Sequence, residues 1–280
     1  ESVFFFLFIK KEHAFVQKII KENKIDVVIS DNRYGLWSKA VKSILITHQI
    51  YVKFPVGERL MHRIIAKLIQ QFDDCWIPDV DGEVNLSGDL SHLQPIQYQH
   101  QFIGALSRFS KVNTSNLTEK QPVDFDVIAI FSGPEPQRTI FEKLVLKEIE
   151  HHQLKTIVVR GLPHLKEEKK IKEAEKWKLK NGSVVHNHLA TPLLKQCILK
   201  SKVVVCRAGY SSIMDLIALQ KRAILIPTPG QTEQLYLAKY HLNEGNFYSQ
   251  EQAHFDLGIG LAKVRKFHPK PIAVGSLNFI

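Results

Sequence analysis

The chain has 280 residues, 44% hydrophobic and 24% charged, with 14 Gly and 12 Pro, a balance that excludes collagen-like, disordered and low-complexity classes. Its length exceeds the usual single domain of roughly 100 to 200 residues and predicts two domains. The formal net charge of +10 predicts an anionic partner, whether phosphorylated ligand, anionic membrane face or nucleic acid, without choosing among them.

The first apolar run, Val3-Phe4-Phe5-Phe6-Leu7-Phe8-Ile9, stops at Lys10, far short of the roughly 20 apolar residues that span a bilayer. No basic segment precedes it and no small-residue cleavage site follows, which argues against a secretory leader. The start at Glu1 instead of methionine reads as a fragment. Beyond it, short apolar runs at 26–30, 43–47, 75–77, 126–132, 156–160, 183–186, 202–206 and 223–227 read as strands. Helical periodicity fills 12–22, 57–71, 137–150, 191–199, 211–219 and 233–243. Such alternation predicts an α/β protein with parallel sheets. The polar stretch 111–124 lacks an apolar face and reads as a linker, dividing the chain into 1–120 and 121–280. Lys and Glu interleave over 166–180, the pattern of a solvated amphipathic helix.

Cys75, Cys197 and Cys206 are odd in number and form no C-x-x-C, which argues against disulfides and zinc and favours a reducing cytoplasm. His151-His152 and His186-x-His188 lack a third ligand of suitable spacing. Asp79-x-Asp81 sits in a Pro/Gly-rich loop and Asp126 of Asp124-x-Asp126 begins a strand, so no metal is expected. The sequon-like positions Asn113 and Asn116 read as loop composition.

The most informative stretch runs from Val203 to Leu216. A buried strand enters the turn Arg207-Ala208-Gly209, and Ser211 and Ser212 open a helix whose amides and positive end converge on one spot. Two linked phosphates suit that spot, with Arg207 adding a charge-assisted bond. Ser212-x-x-Asp215 also matches a capping box. Asp215 shares a helical face with Ser211 and Ser212, where it could instead hold two ribose hydroxyls, so both roles stay open. One strand later, Pro227 and Pro229 with Gly230 fix the path of a loop carrying Gln231, Glu233 and Gln234. Their amide and carboxylate groups suit a polyhydroxylated sugar, and ligands of open α/β sheets bind outside the carboxyl ends of strands.

The segment from Cys206 to Asp215, followed by 227–234, resembles the nucleotide-sugar half of the MurG-like glycosyltransferases of family 28. The resemblance implies a GT-B fold of two Rossmann-like domains, the N-terminal one incomplete, with its opening strand and Gly/His-rich loop lying before Glu1. It implies transfer of a sugar from a UDP-sugar to an acceptor hydroxyl with inversion, with neither metal nor cofactor. Ser132, Gly133 and Arg138 then occupy the first phosphate-side loop, although Pro134 and Pro136 replace the family's small residues. Arg160 lies near the diphosphate, and His188 belongs to the loop that holds the uracil ring. Arg207, Gly209, Ser211, Ser212, Asp215, Gln231, Glu233 and Gln234 complete the donor side. Asp31, Asn32, Arg33 and Gln49 resemble acceptor-side loops, and His48 is the one histidine nominated as catalytic base. The acceptor is expected to be a carbohydrate or lipid-linked molecule, reached from the inner face of the cytoplasmic membrane. Two alternatives remain: a UDP-sugar epimerase of the same fold, and a basic nucleic-acid-binding protein. The second is disfavoured because no compact basic motif with interleaved aromatics occurs.

Overall fold

The computed structural model describes residues 2–54, 56–110, 123–165, 179–180 and 182–275. The polar stretch 111–122, with both sequon-like positions, and most of the expected helix over 166–180 lie outside the described residues. Two compact units form, one of Glu1–Ala105 with Gly275–Ile280 and the other of Leu106–Val274.

The first unit opens with helix α1 (Ser2–Glu22), so the apolar run from Val3 continues the helix expected only from residue 12. Strands β1 (Val27–Asp31), β2 (Lys42–Ile46), β3 (Asp74–Ile77) and β4 (His100–Phe102) follow, all parallel and in sequential order. Helix α2 (Glu58–Ile69) returns the chain from β2 to β3, and the single turn α3 (Asp89–His92) precedes β4. Leu45, Ile65, Ile69, Cys75 and Ile77 form the core. Asp79, fully buried, organises the loop after β3: its carboxylate accepts the amides of Val80, Leu86 and Ser87 and the Ser87 hydroxyl. Four donors from its own loop satisfy a buried charge that would otherwise be costly.

The second unit holds a six-stranded parallel sheet of β5 (Phe125–Ile130), β6 (Thr156–Val159), β7 (Val184–His186), β8 (Ser201–Cys206), β9 (Ala223–Leu225) and β10 (Tyr248–Ser249). The order is β10-β9-β8-β5-β6-β7. Between strands run α4 (Gln137–His151), α5 (Thr191–Leu199), α6 (Tyr210–Ala218) and α7 (Thr232–Asn243), with α8 (Leu257–Lys263) after β10. All of β6 and every residue of β8 except Lys202 are buried, as continuous apolar runs require when helices cover both faces. Phe141 of α4 is wholly buried and meets Phe131 edge to face at 5.3 Å.

The division between the units falls after Ala105, not at the expected residue 120. Residues just past it belong to the second unit because side chains hold them there: Ser107 and Arg108 donate to Asp215, and the buried Lys195 ammonium donates to the Phe109 carbonyl at 3.2 Å. A sequence pattern cannot show partners so far apart along the chain.

Truncating Phe141 to Ala should cost about 3–5 kcal/mol, the range for a buried aromatic in a close-packed core. Urea denaturation followed by circular dichroism tests this. A loss under about 1 kcal/mol would contradict the packing described.

Candidate donor and acceptor sites

In the second unit the chain builds outward from β5 through β6 to β7, then returns to place β8 on the other flank of β5. The connections after β5 and β8 therefore leave in opposite directions, which opens a crevice outside their carboxyl ends. The loop at Ser132 and Gly133 follows β5, and the Arg207-Ala208-Gly209 turn follows β8. Ser132 and Gly133 are both exposed, with Gly133 at φ +98.

Gly209 is the N-cap of α6 and provides no side-chain cap. The first helical bond runs from the Ile213 amide to the Gly209 carbonyl, so the preceding amides of Ser211 and Ser212 point out along the axis. A side chain added at Gly209 would meet nothing within 4 Å, so the helix tip faces open space. Aligned amides and the helix dipole together favour an anion there.

The arginines expected to assist are turned inward instead. Arg207 is 2% exposed. One of its terminal nitrogens donates to the carbonyls of Ile226 and Pro227, and the other to that of Gln137 at 3.0 Å. Its guanidinium lies 4.1 Å from the centre of the Phe141 ring. Burial pushes its pKa down to about 10. Arg207 thus ties the loop after β9 to the start of α4, while its Nε is buried without a partner among the described residues. Arg138 and Arg160 share the buried Glu142 carboxylate, at 2.8 and 2.6 Å. Arg138 also pairs with Glu135 and donates to the Arg160 carbonyl, while Arg160 reaches Asn187 at 3.2 Å. This network links the carboxyl ends of β6 and β7 to α4. Gly161 allows the close approach: at φ +69, a Cβ there would lie 2.1 Å from the Phe131 carbonyl oxygen. Glu142 escaped the sequence reading, although its i, i+4 spacing from Arg138 was a usable signal.

Asp215 is engaged by groups outside its own helix turn. It does not reach back to Ser212 in a capping box, because the helix already begins at Tyr210 and its N-cap is Gly209. Its carboxylate is 7% exposed and accepts the Ser107 hydroxyl and the Arg108 guanidinium, each at 2.7 Å, one on each oxygen. Cys206 beside it is fully buried, and burial with the Asp215 charge pushes its thiol up to about 12, which makes it an inert core residue.

The loop after β9 follows an ordered path. The Gln234 side-chain oxygen accepts the Thr228 amide at 2.9 Å, and its NH2 donates to Gln231 at 2.6 Å. Gln234 shapes the loop, while Gln231 stays exposed and Glu233 half-buried in the first turn of α7. His188 is exposed in the loop after β7.

In the first unit, the acceptor-side residues gather at the carboxyl ends of β1 and β2. Asn32, at φ +53, accepts the Thr47 hydroxyl at 2.9 Å, and that hydroxyl accepts the Gln49 amide. Arg33 pairs with Glu12 of α1 at 2.6 Å and lies over the Phe8 ring. Asp31 is exposed at the end of β1, and His48 is half-buried between Thr47 and Gln49. A cavity of about 470 Å³ opens here, with Asn32, Arg33 and Gln49 at its polar end and Phe5, Phe8, Tyr34, Phe54, Met61 and Ile65 among its apolar walls.

Among the described residues, one group has metal-ligand spacing: Glu148, His152 and Asp256, with ligand atoms within 4.8 Å of one another. Its carboxylates already accept amides at the start of α8, Glu148 from Leu257 and Asp256 from Ile259. No described helix is long and apolar enough to cross a membrane.

The chain matches the family described as "Glycosyltransferase family 28 C-terminal domain" over residues 127–270. No curated protein matches it by sequence. Among solved structures it is similar to MurG of Acinetobacter baumannii, with 10% identity, 92% of this chain and 71% of that one covered, and a TM-score of 0.56. It is also similar to the spinosyn rhamnosyltransferase SpnG, at 10% identity, 93% and 71% coverage and a TM-score of 0.59. SpnG complexed with thymidine diphosphate gives 11%, 95%, 74% and 0.53. Identities this low establish the fold, two Rossmann-like units of the GT-B type, the first of them partial. The match runs from Val127 within β5 through β10 and takes in the amino end of α6, and the chain belongs to glycosyltransferase family 28.

Proposed function

We propose that this glycosyltransferase takes its sugar from a nucleoside-diphosphate sugar, a UDP-sugar by preference, and transfers it with inversion and without a metal to an acceptor hydroxyl. The uncapped amino end of α6, open at the switch point between β5 and β8, carries this reading. A diphosphate there meets several amide donors at once, and the charge that develops on the leaving group is stabilised by fixed dipoles in place of a cation. The thymidine diphosphate named for SpnG supports the ligand class. Glu233 and Gln231 are the groups assigned to the sugar hydroxyls, with Gln234 holding their loop.

In the first unit the acceptor's polar end reaches Asn32, Arg33 and Gln49, and its apolar part enters the aromatic-walled cavity. His48 takes the proton from the acceptor hydroxyl as that oxygen bonds to the anomeric carbon. The bond from that carbon to the diphosphate breaks, and the nucleotide leaves with its electron pair. Exposed Phe54, Val56 and Leu60, with Arg59, Arg63 and Lys67 on and beside the same helix α2, suit peripheral contact with an anionic membrane at its inner face, where a lipid-linked acceptor would lie. Such a surface accounts for basic charge without nucleic acid.

Gly209→Asp tests the donor site in two directions. The backbone there, at φ −80 and ψ 143, accepts any residue, and an Asp N-cap should leave the fold unchanged or stabilise it by a few tenths of a kcal/mol. The same carboxylate repels phosphate, so calorimetry should show UDP affinity falling about tenfold or more. Unaltered affinity would move the diphosphate elsewhere. His48→Ala should lower kcat by about 10²–10⁴ while UDP binding is retained, the range for loss of a general base. Turnover should persist in EDTA, and its abolition would overturn the metal-free reading.

A further inference from the structure

The amino ends of the second unit's strands carry a feature that sugar transfer does not use. Lys155 immediately precedes β6, Lys200 precedes β8, and Lys221 and Arg222 precede β9. Because every strand pairs in parallel, these cations share one end of the sheet, opposite the end at which α6 begins. Asp124 and Asp126 are the acids at the start of β5.

A cavity of about 480 Å³ opens at this end. Lys202, Arg222 and Arg265 supply its cations and Asp126 its one carboxylate, while Leu154, Leu261 and Val264 supply apolar wall. Asp126 pairs with Lys202 at 2.7 Å. Arg222 meets the ring of His268, and neither Arg222 nor Arg265 pairs with a carboxylate among the described residues. The cavity is therefore left with two uncompensated guanidinium groups. Burial lowers the Lys221 pKa to about 8, with the Arg222 charge adding to the effect. Burial alone would raise the Asp126 pKa, but hydrogen bonds from Lys202 and the Lys155 amide, with the charges of Lys202 and Lys180, bring it below the ordinary value.

We infer that this cavity is a second ligand site, remote from the donor crevice, for a molecule that joins a phosphate group to an apolar body. Guanidinium forks match phosphate oxygens, and an apolar wall gives a hydrocarbon or ring a place to leave water. The volume falls in the range of small-molecule sites, which are about 300–1,000 Å³. A flat polyanion such as RNA would use the surface cations but would gain nothing from Leu154, Leu261 and Val264. The same chemistry could come from a soluble phosphorylated metabolite or from the headgroup and first methylenes of an anionic lipid.

Calorimetric titration of the whole chain with octyl phosphate, kept below its micellar concentration, tests the site. One molecule should bind per chain, at least tenfold more tightly than inorganic phosphate or octanol. Arg265→Ala, at an exposed position with no carboxylate partner among the described residues, should weaken octyl phosphate about tenfold and leave UDP binding unchanged. A second variant, Leu261→Asn, should weaken octyl phosphate without altering the weak response to inorganic phosphate. Vesicles of phosphatidylglycerol separate the sources: binding lost in Arg265→Ala identifies a lipid headgroup, and octyl phosphate binding without vesicle binding identifies a soluble ligand. Equal affinity for octyl phosphate and inorganic phosphate, indifference to Arg265→Ala, or displacement of octyl phosphate by a single-stranded RNA oligonucleotide at lower concentration would overturn the assignment.

Discussion

The parallel pairing of β8 against β5 is the constraint on which the second unit depends. Val127, Ile128, Ala129 and Ile130 lie in register with Val203, Val204, Val205 and Cys206, and the six central residues of the ladder from Val127 to Val205 are all buried. Burial of apolar surface on both faces fixes that register, since a slip by one residue would turn each side chain to the opposite face. With β8 held beside β5, the turn at Gly209 must leave the sheet next to the loop at Ser132. The helix tip then faces the crevice as a consequence of strand order. The amides exposed at that tip belong to the backbone, not to side chains.

The charged side chains around that crevice serve chiefly to hold it in shape. Arg138 and Arg160 meet on Glu142, and Arg207 lies on Phe141 while donating to three backbone carbonyls. These contacts connect the loops after β5, β6 and β9 to a single helix, α4. A buried guanidinium is tolerable only when its donors are nearly all used, and the backbone carbonyls at strand ends supply acceptors without adding flexible side chains. The result is a rigid rim around a site whose own donors are backbone amides. Preorganised dipoles of this kind need little rearrangement when charge develops on a leaving group.

The acceptor-side unit uses a different economy of polar groups. Asn32 and Thr47 join the ends of β1 and β2, Arg33 is secured to α1 by Glu12, and the aromatic side chains of α1 and the loop before α2 leave a largely apolar cavity beside them. Polar groups at one end and apolar walls behind them form the kind of arrangement that fixes the orientation of a small molecule. Excess positive charge, which composition alone could assign to many partners, resolves into at least two distinct places: α2 in the first unit and the amino ends of the strands in the second.

The sequence by itself determined the α/β class, most of the long helices and the buried strands, because these follow from apolar period and local turn chemistry. The helix opening after Cys206 and the loop from Pro227 to Gln234 were legible for the same reason. Short β4, β10 and α3 were not, since two to four residues carry no measurable period and depend on neighbours for their pairing. The tertiary structure alone decided where charged side chains point. Arg207, Arg138 and Asp215 each sit where a ligand contact was expected, and each also meets partners brought in by the fold, from Glu142 four residues from Arg138 to Ser107 at a separation of 108 from Asp215. A long side chain can turn to either side of its backbone, and the electrostatic cost of leaving it unpaired is set by groups that sequence spacing does not place.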